Sequence, residues 1–377
     1  MTTRPDYTTA RERAGFSWHV GSGQGALRML TGVPIREFNL DPAACVDAYR
    51  RGRPMIREMF GEDVRLPGLA TPAISYGHAN GLGSELLFPE GGEVAHTHPY
   101  ESLEQGIRAL REPVDFASAG MAPFYLDFKK RMARAFPGEP VGFSYGLEGP
   151  LTTAYEMRGE GVFTDIFDDP PAAREFLCLL TDSILAFQRF RADVNGSPAV
   201  SPNGGGMCDD IASMIPPHMF GDFVLPYWEQ YYQGITTGRR HAHVEDLRPV
   251  QLPFLEDIGL SFYDPSISPQ LNPRLVSEHC RVPFTWRLGS FHYRNMTTRD
   301  VADFVFQSVA DGASSVHTNV AEPLCNDDGV RKIHAFIEAA KEAERLLASG
   351  ATCAEIGQRV HPDSKVKRWD RWWDRAD

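Results

Sequence analysis

The sequence predicts an α/β fold and, within that class, a (β/α)8 barrel with an N-terminal helical extension. Two observations carry this. From Val141 onward, short apolar segments alternate with helical periodicities at intervals of about 20–60 residues, the βαβα rhythm of a parallel sheet. The chain also has 377 residues, 42% of them hydrophobic and 23% charged, a globular composition long enough for one large barrel. A doubly wound sheet is the alternative. It is disfavoured because the glycine-rich stretches Gly21–Gly25 and Gly204–Gly206 lack the G-x-G-x-x-G that would open a dinucleotide site. On this reading residues 1–65 form the helical extension, 66–350 the barrel and 351–377 a tail.

The elements follow from periodicity. Helices are expected over Asp41–Phe60, Pro171–Val194, Pro217–Gly234, Thr298–Asp311 and Gly329–Ser349, with Pro226 kinking the third. Strands are expected at Gly68–Tyr76, Val141–Tyr145, Ala199–Ser201, Arg240–Val244, Ser261–Asp264, Phe284–Leu288 and Ser314–Thr318. The tail VKRWDRWWDRAD carries Trp369, Trp372 and Trp373, which reads as a segment docked on the body.

Composition excludes several classes. Against 50 acidic residues there are 38 Lys and Arg, giving a formal charge of −12, which argues against a nucleic-acid binder. No apolar run reaches the ~18 residues of a membrane span. The polar N-terminus MTTRPDYTTARERAG has no signal core. The six scattered cysteines do not form a secreted disulfide scaffold. The expectation is a cytoplasmic protein whose cysteines are free or bind metal.

Several residues could carry chemistry. His241-Ala242-His243 sits on a candidate strand, where residues at i and i+2 share a face and two imidazoles converge on one ion. Two hydrogen-bonded surface histidines are the plain alternative. Cys325 follows the last candidate strand. Alone it reads as a small buried residue, but with His241 and His243 it completes a His2Cys set, and three ligands plus one open position is the pattern of catalytic zinc. His279-Cys280 precedes a strand and so falls at the stability end of a barrel. His96-Thr97-His98, a second H-x-H, lies in a Gly/Pro-flanked loop and reads as a surface or lid feature. Cys208-Asp209-Asp210 follows the Gly204–Gly206 turn, where the carboxylates either contact substrate or cap a helix.

Three segments resemble the uroporphyrinogen decarboxylase superfamily: CDDIASMIPPHMFGDFVLPYWEQYY (208–232), GLEGPLTTAYEMRG (146–159) and GHANGLGSELLFPEGG (77–92), with a weaker match in GALRMLTGVPIREF. They occur in the family's order. The resemblance implies a (β/α)8 barrel and one of two activities: metal-free decarboxylation of a tetrapyrrole, or zinc-dependent methyl transfer involving a corrinoid. The methyltransferases of the family hold zinc through H-x-C and a distal Cys. His241 falls on the family His and Cys325 on the distal Cys. His243 stands where they have Cys, which makes the site one charge less negative and suits polarising an oxygen or nitrogen substrate. The resemblance also suggests Asp210 and Tyr145 as substrate contacts. True decarboxylase is disfavoured, because Ile74 occupies the place of its catalytic Asp and the N-terminal Arg-rich signature has no counterpart.

The expected function is therefore a methyltransferase using zinc, or another divalent metal, on His241, His243 and Cys325. It would move a methyl group between a small substrate or thiol and methylcobalamin or another corrinoid. That corrinoid would be free or on a separate corrinoid protein, since the chain has no D-x-H-x-x-G motif. Two alternatives stay open. One is a metal-dependent lyase or hydrolase with Asp209, Asp210 or Glu322 as general base; the other is a barrel that binds a small ligand without turnover.

Overall fold

Helices and parallel strand pairs alternate along the chain in the computed structural model, which describes residues 5–364 and 366. The strands are β1 (Ser17–Ser22), β2 (Val64–Arg65), β3 (Leu86–Leu87), β4 (Ala95–His96), β5 (Gly204–Cys208), β6 (Arg239–His243), β7 (Phe262–Asp264), β8 (Thr285–Leu288) and β9 (Ser315–Val320). The longer helices are α1 (Pro42–Phe60), α2 (Ala122–Ala135), α3 (Pro150–Arg158), α4 (Pro170–Asn195), α5 (Leu225–Ile235), α6 (Thr298–Ala310) and α7 (Asp327–Ala348). Two compact units emerge, each discontinuous in sequence. The first comprises Val33–Val46 and Gly68–Val244; the second comprises Asp47–Pro67, residues 5–32 and the chain from Glu245. Among the described residues no helix is long and apolar enough to cross a membrane.

In the first unit, the candidate strands at 68–76 and 141–145 run parallel, joined by isolated bridges at Ala70–Gly142 and Ile74–Tyr145 and by backbone hydrogen bonds such as Thr71 N–H to Gly142 O. They are extended backbone, not regular ladder. β5 and β6 pair in parallel over five residues, Gly204 with Arg239 through to Cys208 with His243. The sequence suggests a turn at Gly204–Gly206, and the structure makes it a strand. A Cβ on Gly205 would lie 2.6 Å from Ile235 Cδ1 of α5, so glycine is what lets this strand approach its covering helix. The helix expected over 217–234 is broken into a 3₁₀ turn (Pro217–Met219), one helical turn (Phe220–Phe223) and α5. Pro226 sits in the first turn of α5, where its missing N–H has no partner to lose, so it starts that helix and kinks nothing.

The second unit holds a parallel sheet in the order β2-β1-β9-β8, extended toward β7 by a parallel bridge between Tyr263 and Phe284. β1 lies in a stretch that sequence periodicity assigns to helices. Only Val20 and Ser22 of SWHVGS are buried, so the segment carries too little apolar alternation to declare itself, and pairing with β9 decides its conformation. α6 and α7 pack together, Phe304 against Phe336 with ring centroids 6.4 Å apart. The tail tryptophans Trp369, Trp372 and Trp373 lie outside the described residues.

Candidate metal centre

The register of β5 on β6 builds the site. Gly204, Gly206 and Cys208 alternate on one face of β5, and Arg239, His241 and His243 on the matching face of β6. The opposite face is buried: Met207 and Ala242 are in the core. There Arg240 pairs with Glu229 of α5, one N–H···O contact being 2.8 Å, and lies over the Tyr232 ring. With the back face committed, the polar side chains gather at the strand ends of the front face.

Because Cys208 and His243 are register partners, their side chains stand side by side, and Asp210 follows two residues past the end of the strand. The ligand atoms of Cys208, Asp210 and His243 all lie within 4.8 Å of one another. His243 Nε2 is 3.9 Å from Asp210 Oδ1, and Cys208 Sγ is 3.9 Å from Asp210 Oδ2. All three residues are half-buried. Ligand atoms of a tetrahedral zinc stand roughly 3.3–3.8 Å apart, so small side-chain rotations would suffice to close the set on an ion. Thiolate, imidazole and carboxylate are each zinc donors, and three of them leave a fourth position open.

The neighbouring Asp209 does different work. It is fully buried, with Oδ1 accepting the N–H of Thr152 at 2.7 Å and Oδ2 accepting Trp228 Nε1–H at 2.6 Å. Burial pushes its carboxyl up to about 6, against the lowering effect of those donors. Gly149 N–H donates to Cys208 O at 2.6 Å, and a Cβ on Gly149 would lie 2.5 Å from Asp209 Cβ. Together these contacts clamp the end of β5 onto the N-terminus of α3. Asp209 thereby places a carboxylate where the helix dipole favours one, and holds Cys208 and Asp210 in position.

Two more carboxylates stand close by. Burial pushes Glu148 up to about 7, opposed by hydrogen bonds from Cys208 and Ser75 and reinforced by the charges of Asp210 and Asp209. Cys208 itself is pushed up by burial first, then by Glu148 and Asp210. A bound dication would reverse that and stabilise the thiolate.

The remaining expected residues fall as follows. His241 is the register partner of Gly206, on the same face as His243 and two residues before it. Its imidazole is held below the usual value, first by burial and then by Arg239. Tyr145 is fully buried, stacked on Tyr125 at 5.2 Å between centroids, and its hydroxyl donates to Asn80 Oδ1. Cys325 belongs to the second unit. It ends the 3₁₀ turn Glu322–Leu324, and its Sγ lies 3.6 Å from Ala321 O. Cys280 is buried, as its place before a strand suggests. Sequence reasoning does not single out Cys208 as a ligand, or Glu148 and Glu156 at all. The available signal for Cys208 is its place at the head of Cys-Asp-Asp, one residue from Asp209, but the glycines before it hide the strand that aims it.

Comparison with known proteins bears on this geometry. Residues 71–258, about half of the chain, match the family uroporphyrinogen decarboxylase (URO-D). No curated protein matches the sequence. Among solved structures, a methyltransferase from Methanosarcina mazei superposes with a TM-score of 0.62 at 14% identity, covering 89% of this chain and 97% of that one. At that identity the likeness speaks for the fold.

Proposed function

The chain belongs to the uroporphyrinogen decarboxylase superfamily, and we propose that it is a metal-dependent methyltransferase that exchanges a methyl group between a small substrate or thiol and a corrinoid. The single observation that carries the reading is the convergence of Cys208, Asp210 and His243 at the end of a parallel strand pair. A tetrapyrrole decarboxylase of this family works without metal and has no use for that set. It also needs an Asp where this chain has the buried Ile74.

In this reading Cys208, Asp210 and His243 hold zinc. The ion would supply Lewis acidity toward a thiol or a methylated heteroatom in its open position. The chain's own residues do the rest. Asp209 fixes the ligand loop through Thr152 and Trp228, while Glu148 takes a hydrogen bond from Cys208 when the thiol is protonated. Tyr145 supports the first unit from its core through Asn80. The parallel strands, the helices and the family together support a (β/α)8 barrel, with β1 one of its strands and not part of an appended helical extension. The corrinoid would arrive as co-substrate, free or on a separate protein.

A second ligand set, the one the family resemblance implies, is His241, His243 and Cys325. It is favoured by His241 and His243 sharing one face of β6. The two sets share His243 and differ elsewhere, so zinc stoichiometry separates them. Cys208→Ser should lose bound zinc and methyl transfer from methylcobalamin to a thiol, with Cys325→Ser retaining zinc. The opposite result transfers the assignment to the second set. Full zinc in both variants would end both ligand assignments, and full turnover of the zinc-free chain would end the metal-dependent reading.

A further inference from the structure

The sheet β2-β1-β9-β8 of the second unit has two unlike faces. One is an ordinary core face, with Val20, Val316, Val320 and Leu288 buried on it. The other carries, in register, His19 and Gly21 of β1, His317 and Asn319 of β9, and Thr285 and Arg287 of β8. Parallel strands covered on both faces read as apolar runs, so a face with no aliphatic side chain on these three strands is a departure that needs a polar occupant.

His19, His317 and Arg287 form a row across that face. His19 and His317 are register partners and their rings stack, 4.8 Å apart between centroids and 8° between planes. Arg287 is the register partner of His317 on its other side. His317 is buried, and His19, Asn319 and Arg287 are half-buried. Neighbouring strands lie about 4.8 Å apart, so the row rises from within about 10 Å of sheet. Its members are anchored. His317 Nδ1 lies 2.8 Å from Thr285 Oγ1, and Arg287 Nη1–H donates to Ser266 Oγ at 3.2 Å. Ser266 has a φ of 49°, a conformation that a non-glycine residue holds at a cost, and Asp264 Oδ1 fixes it by accepting its N–H at 2.8 Å. Gly21 leaves room for the Asn319 amide, since a Cβ there would lie 2.6 Å from Asn319 Oδ1. With these anchors made, Arg287 Nε is buried and has no hydrogen-bond partner.

Two features say what the row takes. A guanidinium N–H buried without an acceptor calls for an oxygen, and the planar guanidinium fork matches carboxylate and phosphate. A metal fits poorly: parallel stacked rings set their edges side by side and do not aim them at one point. Among the described residues, moreover, the one group of three metal-capable side chains within ligand reach is Cys208, Asp210 and His243. Arg65, register partner of Gly21 on β2, adds a second fixed positive charge to the face, against the negative Asp264 of β7.

We propose that His19, His317 and Arg287, with Asn319, bind an oxyanion, the carboxylate or phosphate group of a small molecule. All four residues belong to the second unit, and the proposal rests neither on the metal cluster nor on methyl transfer.

The test uses the full chain, freed of metal by a chelator that is then dialysed away. Inorganic phosphate and acetate are titrated calorimetrically at constant ionic strength in chloride. The chain carries a net charge of −12, so diffuse attraction does not mimic a site. At least one ion should bind saturably with a Kd of about 1 mM or tighter, and the tighter of the two says whether the site is built for phosphate or carboxylate. Arg287→Gln should weaken that ion at least about tenfold, and His19→Gln about fivefold. Arg274→Gln removes the same charge from an exposed helical position of the same unit and should change nothing. No saturable binding of either ion, binding indifferent to Arg287→Gln, or an equal loss in Arg274→Gln overturns the proposal. If Arg287→Gln fails to fold, the ring resonances of the unmodified chain decide. The His19 Cε1–H signal, identified by its loss in His19→Gln, should move as the ion saturates, and a stationary signal overturns the proposal.

Discussion

The first unit contains two His-x-His motifs, and only one of them builds a cluster. His96-Thr97-His98 leaves the short antiparallel pair β3–β4. Its rings contact each other edge to face at 5.1 Å, His96 Nδ1 lies 3.1 Å from Thr97 O, and His98 Nδ1 lies 2.9 Å from Glu156 O. Each imidazole is committed to a backbone carbonyl. His241-Ala242-His243 has the same pattern but lies in a parallel ladder, where β5 sets Cys208 directly beside His243. The motif is the same, and the register partner decides whether it meets a thiol and a carboxylate or only backbone oxygen.

The largest effect expected from this contrast is on Cys208. Cys208→Ala should reduce bound zinc to a trace and lower methyl transfer by about a hundredfold or more, since even outer-shell changes cost 10–100-fold at metal sites. Elemental analysis and turnover measure both, and a full zinc complement would break the comparison. Next comes Asp209→Ala, which strands the N–H groups of Thr152 and Trp228 in the core. It should destabilise the chain by roughly 3 kcal/mol in denaturant unfolding, as two buried donors lose their acceptor. A change under a few tenths would show that the clamp on α3 is not needed.

A pH effect sharpens the role of the helix that His98 contacts. Burial and the charges of Glu148 and Asp209 hold Glu156 well above its ordinary value of 4.5. A carboxyl raised in the folded state contributes stability that is fully present below the unfolded value and is lost as pH rises through the folded one. The metal-free chain should therefore lose stability between mildly acidic and alkaline pH, and Glu156→Gln should flatten that loss. Parallel pH profiles for the two proteins would contradict it. The smallest effect is expected at the first motif: His98→Ala should cost about 1 kcal/mol, the value of one hydrogen bond, and leave zinc unchanged. Loss of zinc there would erase the distinction between the motifs.

What was legible in the sequence follows the same line. His243 is readable as a candidate ligand, because a strand-borne H-x-H is a pattern of side-chain type and spacing, whereas Asp210 is named only as a substrate contact through the family resemblance and stands beside His243 in the structure. Parallel strands and the long helices are readable from periodicity, α1, α4, α6 and α7 within a residue or two at each end. The place of Cys208 in the cluster was not. Its strand is GGGMC, and three glycines carry no strand propensity; the close packing under Ile235 that requires Gly205 is visible only in three dimensions. β1 was hidden because its partner β9 lies almost 300 residues away. Asp209 and Asp210 are adjacent and chemically identical in sequence, yet one faces Trp228 in the core and the other His243. Glu156 inside a helix reads as a solvated residue, and only its missing partners mark it.

The clamp at Asp209 has a metric consequence. Thr152 is tied to the loop that carries Cys208 and Asp210, and Glu156 follows it by four residues of rigid helix. At about 1.5 Å per residue that is a gap of about 6 Å along the axis, set by the backbone and not by any side chain's reach. The helix is in effect a ruler with its zero pinned beside the cluster. The offset between the cluster's loop and Glu156 is therefore a property of the helix, and a one-residue insertion between Thr152 and Glu156 would change it by about 1.5 Å and turn the carboxylate by about 100°.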